Sequence, residues 1–167
     1  MKSERVLAVE TSCDDTSVAV VSAGGYVEAQ VSASQDLLHA PFGGIVPEIA
    51  SRNHTLNLLP LIDQALTHVD GGWEAVDALA VTNRPGLVGS LMVGLVTVKT
   101  LALARERPFV AVNHLEGHIL APFLHDVEFP EPPDLQFPFL SLAVSGGHTQ
   151  LYLVRGPGIY EILGATL

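Results

Sequence analysis

Two histidines spaced four residues apart, His114 and His118, are the first candidates for chemistry in this sequence. The apolar run 109–112 before them is typical of a buried strand, and Asn113 is a good helix N-cap. On a helix, side chains four residues apart lie on one face, about one turn apart. Two imidazoles in this arrangement can ligate one metal ion. The spacing also fits a helix start whose two polar side chains face solvent.

A second candidate is the acidic turn, residues 10–16, which lies between two apolar runs. It contains the carboxylates Glu10, Asp14 and Asp15 together with three hydroxyl groups, and it has no glycine. Such a turn can hold a hydrated Mg²⁺ ion and donate hydroxyl groups to a phosphate. A solvated acidic turn explains the same residues, so this turn alone leaves both interpretations open.

The elements that must position these residues follow from hydrophobic periodicity. Strands are predicted at 6–9, 17–21 and 26–31, which form an antiparallel meander, and again at 76–81 and 109–112. A loop at 32–46 precedes a long helix that begins at Pro47 and ends before Gly71. On that helix, His54 and His68 are expected to face solvent. The loop 82–86 leads into helix 87–104, and the order βββαβαβα predicts an α/β fold with a mixed sheet.

Helix 87–104 is apolar nearly all round, which indicates that part of it is a protein interface. The chain is expected to form a dimer, with another copy or a paralogue, through this helix and the long helix from Pro47. Outward-facing positions such as Val93 or Val96 are expected to lie in that contact. The strands that open the unfinished second half, around 139–163, offer a competing apolar surface.

The second half of the chain repeats the beginning of the first half. Apolar runs at 140–144 and 151–154 flank a Ser-Gly-Gly turn, as the runs at 6–9 and 18–21 flank the acidic turn. Free backbone N–H groups in such a turn suit a phosphate or an adenylate. We therefore predict a first lobe at 1–124, an acidic, proline-rich linker at 125–138 and a truncated second lobe at 139–167. The two turns are expected to face each other across one cleft.

Composition excludes several classes of protein. The net charge of -10 and the lack of any basic cluster predict that the chain does not bind nucleic acid by itself. The longest apolar run, 91–98, is too short to span a bilayer, and the N-terminus does not have the pattern of a signal peptide. Cys13 is the only cysteine, which excludes an internal disulfide and suits a reducing cytoplasm.

Specific motifs extend these inferences to a family. They are ETSCDDT at 10–16, PEIASRNH at 47–54, PGLVGSL at 85–91, NHLEGH at 113–118 and SGGHTQL at 145–151. In this order they closely resemble the tRNA adenosine threonylcarbamoyltransferases, formerly described as O-sialoglycoprotein endopeptidases. The resemblance runs from Arg5 to Leu167 and implies an actin-like, sugar-kinase-like ATPase fold with ribonuclease-H-like lobes. One departure is Arg84, where the family more often has glycine before Pro-Gly.

The resemblance implies transfer of a threonylcarbamoyl group from threonylcarbamoyl-adenylate to the exocyclic amine of the adenosine next to the tRNA anticodon. His114 and His118 match the family's ligands for iron or zinc, which would polarise the carbonyl group that is transferred. Asp14 matches an acidic residue that acts near the phosphate, through Mg²⁺ or by orienting the substrate. The residues that match the lining of the adenylate site are Ala143, Val144, Ser145, Gly146 and Gly147.

The resemblance also implies partners: a shorter paralogue that dimerises through the first lobe, a small P-loop ATPase, and tRNA bound by the assembly. Family members continue through a whole second lobe, so this chain is expected to be an incomplete and inactive fragment. Two alternatives stay open. One is a non-catalytic lobe for binding or dimerisation. The other is a metallopeptidase, which the spacing disfavours because Glu116 lies roughly 200° round the helix from each histidine.

Overall fold

The computed structural model describes residues 4–145 and 149–166. The chain forms two compact units, one that ends at His114 and one that begins at Leu115. The division into a lobe at 1–124, a linker at 125–138 and a second lobe from 139 stays a prediction. Between Phe123 and Phe139, the described residues form no regular helix or strand.

The first unit is built on a mixed five-stranded sheet in the order β3-β2-β1-β4-β5. Its strands are β1 (Arg5–Glu10), β2 (Thr16–Ser22), β3 (Tyr26–Ala33), β4 (Ala78–Arg84) and β5 (Phe109–Asn113). The first three are antiparallel neighbours, as the sequence predicts, whereas β4 runs parallel to both β1 and β5. Parallel strands end at the same edge of a sheet, so the residues after β1, β4 and β5 lie near one another.

Four helices occur in the described residues: α1 (Asp36–His39), α2 (Pro47–Thr67), α3 (Val88–Ala104) and α4 (His114–Leu120). Short 3-10 turns lie at Ala40–Phe42, Gly72–Ala75 and Ala121–Phe123. The predicted starts and ends of α2 and α3 are confirmed to within a few residues. The predicted loop 32–46 is partly wrong, because β3 extends into it and α1 follows. In the part of the chain that the structure describes, no helix is both long and apolar enough to cross a membrane.

The core of the first unit lies between one face of the sheet and helices α2 and α3. Side chains alternate along each strand, so Leu7 and Leu79 are fully buried while Ala8 and Ala80 on the opposite face are half-buried. The helices contribute residues such as Ile62 to the same apolar cluster.

Two expectations about burial are wrong. Strand β5 is predicted to be buried, but it is an edge strand whose Phe109 and Val110 are exposed. Val93 is predicted to face outward, but it packs against the core, whereas Val96 is exposed. An apolar run shows that a segment can be buried but does not show how many neighbours it has.

The second unit contains an antiparallel meander in the order β6-β7-β8. Its strands are β6 (Phe139–Val144), β7 (Thr149–Gly156) and β8 (Ile159–Ala165). Ile119 of α4 packs with Tyr152 and Val154 to form its small core. The predicted repeat is confirmed, since each unit contains a three-stranded meander of the same connectivity.

Candidate active site

The acidic turn between β1 and β2 is seated on the start of helix α3. The Thr11 hydroxyl donates to the carbonyl of Ser90 at 2.8 Å, and the Leu87 backbone N–H donates to the carbonyl of Ser12 at 2.8 Å. Both Thr11 and Ser12 are buried. These bonds satisfy polar groups at the helix start and fix the first part of the turn.

Two glycines allow this close approach. A Cβ atom on Gly86 would lie 2.4 Å from the carbonyl oxygen of Ser12, and one on Gly94 would lie 2.5 Å from the hydroxyl of Thr11. Both distances are too short for a side chain. The loop before α3 and the helix itself can therefore approach the turn this closely only because these two residues are glycine. The motif at 85–91 therefore serves the turn that carries Asp14.

Within the turn, Asp14 is half-buried, whereas Cys13 and Asp15 are exposed. Burial and a hydrogen bond to the Asp14 carboxylate raise the pKa of the Cys13 thiol from 9.0 to about 11. The thiol is therefore protonated at neutral pH. Asp14 and Asp15 place two adjacent carboxylates at the end of the sheet from which His114 follows β5.

Glu10, the last residue of β1, is the centre of a hydrogen-bonded group that the sequence does not reveal. Its carboxylate Oε2 lies 3.0 Å from Nδ1 of His114 and accepts from the Thr82 hydroxyl at 2.6 Å. The other carboxylate oxygen accepts from the Ser12 backbone N–H, and the Ser12 hydroxyl lies 3.3 Å from Nδ1 of His114. The ends of β1, β4 and β5 thus meet at one carboxylate.

Glu10 and His114 shift each other's pKa. Burial alone would raise the pKa of Glu10, but hydrogen bonds from His114, Ser12 and Thr82 outweigh it and lower the pKa from 4.5 to about 2. The hydrogen bond to Glu10 raises the pKa of His114, and burial opposes that rise. The side chains of His114 and Glu10 are 31% and 32% exposed, so the pair is open to a ligand.

The structure places both candidate metal ligands on α4, with His114 as its first residue and His118 as its fifth. Acceptance of the Nδ1 hydrogen by a carboxylate is typical of a metal-ligating histidine, since it directs Nε2 towards the metal. Across residues 4–145 and 149–166, no group of three or more histidine, cysteine, aspartate or glutamate side chains could hold a metal ion together. The assignment of His114 and His118 as metal ligands therefore stays a prediction, and further ligands would have to come from outside the described residues.

Glu116, the glutamate that a peptidase would need, has a different partner. Its carboxylate accepts from the Tyr160 hydroxyl of β8 at 2.6 Å, and that hydroxyl also accepts from the Gly158 backbone N–H at 3.0 Å. These bonds join α4 to the sheet of the second unit.

Of the predicted adenylate residues, the three that the structure describes lie at the end of β6. Ala143 and Val144 are its last residues, and Ser145 follows it. Gly146 and Gly147 lie outside the described residues, and so does the expectation that Gly146 faces Asp14. These assignments stay predictions.

His54 is the clearest error of the sequence interpretation. The sequence predicts that it faces solvent, but it is 0% exposed and bonds the acidic turn through both ring nitrogens. The signal was present, because Ala50, His54, Leu58 and Ile62 follow one another at intervals of four, and all are buried. His68 is exposed, as expected.

Comparison with known proteins identifies the family to which this site belongs. The family model described as tRNA N6-adenosine threonylcarbamoyltransferase (TsaD) matches residues 26–167. A protein of that name from Bdellovibrio bacteriovorus is 59% identical over 98% of this chain and 47% of its own length. Another from Anaeromyxobacter dehalogenans is 52% identical over 97% of this chain and 47% of its own length. The chain spans about half the length of the curated relatives it matches.

Among solved structures, YeaZ from Pseudomonas aeruginosa matches with a TM-score of 0.57 and 23% identity, covering 98% of this chain and 66% of that one. At this identity the match concerns the fold alone, which is the actin-like, ribonuclease-H-like fold. The family model covers most of the chain, and three of the motifs it spans, at 47–54, 85–91 and 113–118, contact Glu10 or the acidic turn. The chain belongs to the tRNA N6-adenosine threonylcarbamoyltransferase family.

Proposed function

We propose that this chain supplies part of the site that transfers a threonylcarbamoyl group from threonylcarbamoyl-adenylate to the exocyclic amine of the adenosine next to the tRNA anticodon. The observation that carries the proposal is the 3.0 Å contact between Glu10 and His114. It joins the motifs 10–16 and 113–118, which are far apart in the sequence, at one end of the sheet. Family membership supplies the reaction class.

Asp14 is the proposed catalytic residue of the acidic turn. Its half-buried carboxylate, next to the exposed Asp15, provides oxygen ligands for a hydrated Mg²⁺ ion or orients the substrate directly. In the first role the carboxylate holds a cation that neutralises the adenylate phosphate, and in the second role it positions the substrate without a metal ion. Ala143, Val144, Ser145, Gly146 and Gly147 are the proposed lining of the adenylate site.

A divalent metal ion, iron or zinc, is proposed as a cofactor held by His114 and His118. When bound, such an ion acts as a Lewis acid that polarises the carbonyl group. The chain's own contribution is orientation, because the contact of Glu10 with Nδ1 of His114 fixes the ring so that Nε2 would be the ligating nitrogen.

Zinc titration of the isolated chain tests the histidine pair. Two protein ligands leave most of the coordination sphere to water, so binding should be weak. His118→Ala should abolish that binding, whereas His68→Ala, at an exposed histidine directly after α2, should leave it unchanged. Unaltered affinity in His118→Ala would show that the pair is structural.

We propose that the chain acts within an assembly in the cytoplasm, with a shorter paralogue and a small P-loop ATPase, and without a membrane. Its net charge of -10 favours a tRNA that is bound by the assembly and not by this chain alone. The proposed contact surface is formed by α2 and α3, where Leu56 and Leu59 of α2 and Met92 and Val96 of α3 are exposed. The same surface would serve a homodimer.

Substitutions to glutamate at positions of nearly equal exposure test this surface. Met92 and Val96 on α3 are each 57% exposed, and Ile162 on β8 is 58% exposed. Met92→Glu and Val96→Glu should convert dimers into monomers in sedimentation, and Ile162→Glu should not. The opposite pattern would place the contact on the second unit.

The isolated chain is proposed to be inactive by itself, as a binding or dimerisation lobe would be, because it spans about half of its relatives' length. The transfer is therefore tested in a chimera, in which residues 4–166 replace the matching segment of the Bdellovibrio bacteriovorus relative. A chimera that attaches labelled threonylcarbamoyl to tRNA supports the proposal. Turnover by the isolated chain would contradict the claim that the chain is inactive alone.

A further inference from the structure

The buried imidazole of His54 contacts residues on both sides of the two aspartates in the acidic turn. Its Nε2 lies 3.0 Å from the carbonyl oxygen of Cys13, and its Nδ1 lies 2.8 Å from the hydroxyl oxygen of Thr16. A carbonyl oxygen only accepts, so Nε2 carries a hydrogen and donates it. In that tautomer Nδ1 accepts the hydrogen of the Thr16 hydroxyl.

These bonds differ from those of an ordinary core histidine. They reach 41 and 38 residues back along the chain, to Cys13 and Thr16, and both end on the turn. Thr16 is itself 0% exposed, so its hydroxyl is held away from water. Helix α2 therefore holds the second part of the turn, while α3 holds the first part through Thr11 and Ser12.

We propose that His54 is a positioning residue for the reaction: it fixes the backbone on both sides of Asp14 and Asp15 and so sets where their carboxylates lie. This inference rests on the proposed function, since it deepens the role given there to Asp14. It also gives a function to the motif at 47–54, of which His54 is the last residue. His54 touches no reacting group itself and acts only through the turn.

The first arm of the test uses the isolated chain without any ligand. Amide hydrogen exchange at residues 13–15 should be faster by about tenfold or more in His54→Leu, because local opening of the turn becomes easier. His54→Gln can still donate to the Cys13 carbonyl and should restore part of the protection. His68→Leu, which changes an exposed residue directly after α2, should not change amide exchange at residues 13–15.

Thr16→Val is the second variant, in case His54→Leu does not fold. It removes one of the two bonds with little change in shape, so the turn should loosen to a smaller degree than in His54→Leu. Exchange at residues 13–15 that is unchanged in Thr16→Val and His54→Gln, and in His54→Leu where it folds, would overturn the proposal.

The second arm measures threonylcarbamoyl transfer in the chimera with the Bdellovibrio bacteriovorus relative. His54→Leu should lower kcat by about tenfold or more, with a smaller loss in His54→Gln, because the carboxylates are misplaced although present. A loosened turn with an unchanged kcat would overturn the positioning role. A chimera that transfers nothing even with His54 intact would contradict the proposed function, and the exchange experiment would still decide whether His54 holds the turn.

Discussion

At the scale of single residues, Glu10 links more of the site than any residue chosen from the sequence. Its carboxylate receives hydrogen bonds from the backbone of Ser12 and the hydroxyl of Thr82, and it contacts the ring of His114. Hydrogen bonds to a charged group contribute about 2 kcal/mol each to stability when they are shielded from water, and less at a pair that is about one-third exposed, as Glu10 and His114 are. The same group therefore orders the site and stabilises the first unit.

The stability supplied by Glu10 should depend on pH in a defined direction. Its pKa in the folded protein is about 2, below the ordinary 4.5, so its contribution is complete above pH 4.5 and disappears as the pH falls through about 2. The pKa of His114 is raised, so its contribution to stability depends on pH in the opposite direction. That contribution is lost as the pH rises through the raised pKa. The difference in unfolding free energy between wild type and Glu10→Gln should be about 2 kcal/mol near pH 5.

Urea unfolding at a series of pH values measures this difference. Glu28→Gln is the matched control, because Glu28 pairs with Arg5 at 2.9 Å on the same sheet. Arg5 stays charged at any accessible pH. The difference in unfolding free energy between wild type and Glu28→Gln should therefore not decline as the pH rises. A Glu10→Gln difference that is equal at pH 2 and pH 5 would contradict the contact.

Cys13 should react slowly although it is exposed. Its pKa of about 11, against an ordinary 9.0, reduces the thiolate fraction at pH 8 by about a hundredfold. The rate of alkylation by iodoacetamide should therefore still increase above pH 10. Asp14→Asn should raise the rate at pH 8, whereas Asp134→Asn in the exposed segment before β6 should not. A half-maximal rate near pH 9 in the wild type would contradict the environment described for this thiol.

At the scale of elements, helix α3 and the acidic turn fit together because Gly94 lacks a side chain. Alanine in place of glycine inside a helix normally stabilises it by up to about 1 kcal/mol. Here the added Cβ would lie 2.5 Å from the Thr11 hydroxyl, so Gly94→Ala should destabilise the first unit by about 1–3 kcal/mol.

Gly117 provides the control for this prediction. It is also a helical glycine, in α4, but an added Cβ would meet no atom within 4 Å. Gly117→Ala should therefore be neutral or stabilising. Native-state amide exchange in α3 and in α4 reports on each unit separately. Equal stabilisation by both substitutions would show that α3 does not approach the turn so closely.

Regular elements could be predicted from the sequence because they depend on local signals. Alternating apolar residues marked the two meanders, and Pro47 and Gly71 marked the limits of α2. The edge position of β5 could not be predicted in this way, because it depends on the order in which the strands pair in the sheet. The burial of His54 could have been predicted from its position on the apolar stripe of α2, but its polarity suggested the opposite.

The site was less predictable than the fold because its contacts are distant in the sequence. Glu10 and His114 are 104 residues apart, and only the parallel pairing of β1, β4 and β5 brings them together. The sequence marked His114 and the acidic turn separately. It gave no reason to choose Glu10 over Asp14 and Asp15 as the residue that contacts His114.

At the scale of the whole molecule, the chain covers 47% of the Bdellovibrio bacteriovorus relative, and that relative supplies the remaining length for a decisive experiment. The central claim is that the acidic turn of this chain takes part in threonylcarbamoyl transfer. The measurement is the rate at which the folded chimera, with residues 4–166 of this chain, attaches threonylcarbamoyl to the adenosine next to the tRNA anticodon. We predict transfer by the chimera, a loss of about tenfold or more in Asp14→Asn, and no loss in Asp134→Asn. A folded chimera that transfers nothing, or an Asp14→Asn form that is as fast as its parent, would contradict the account.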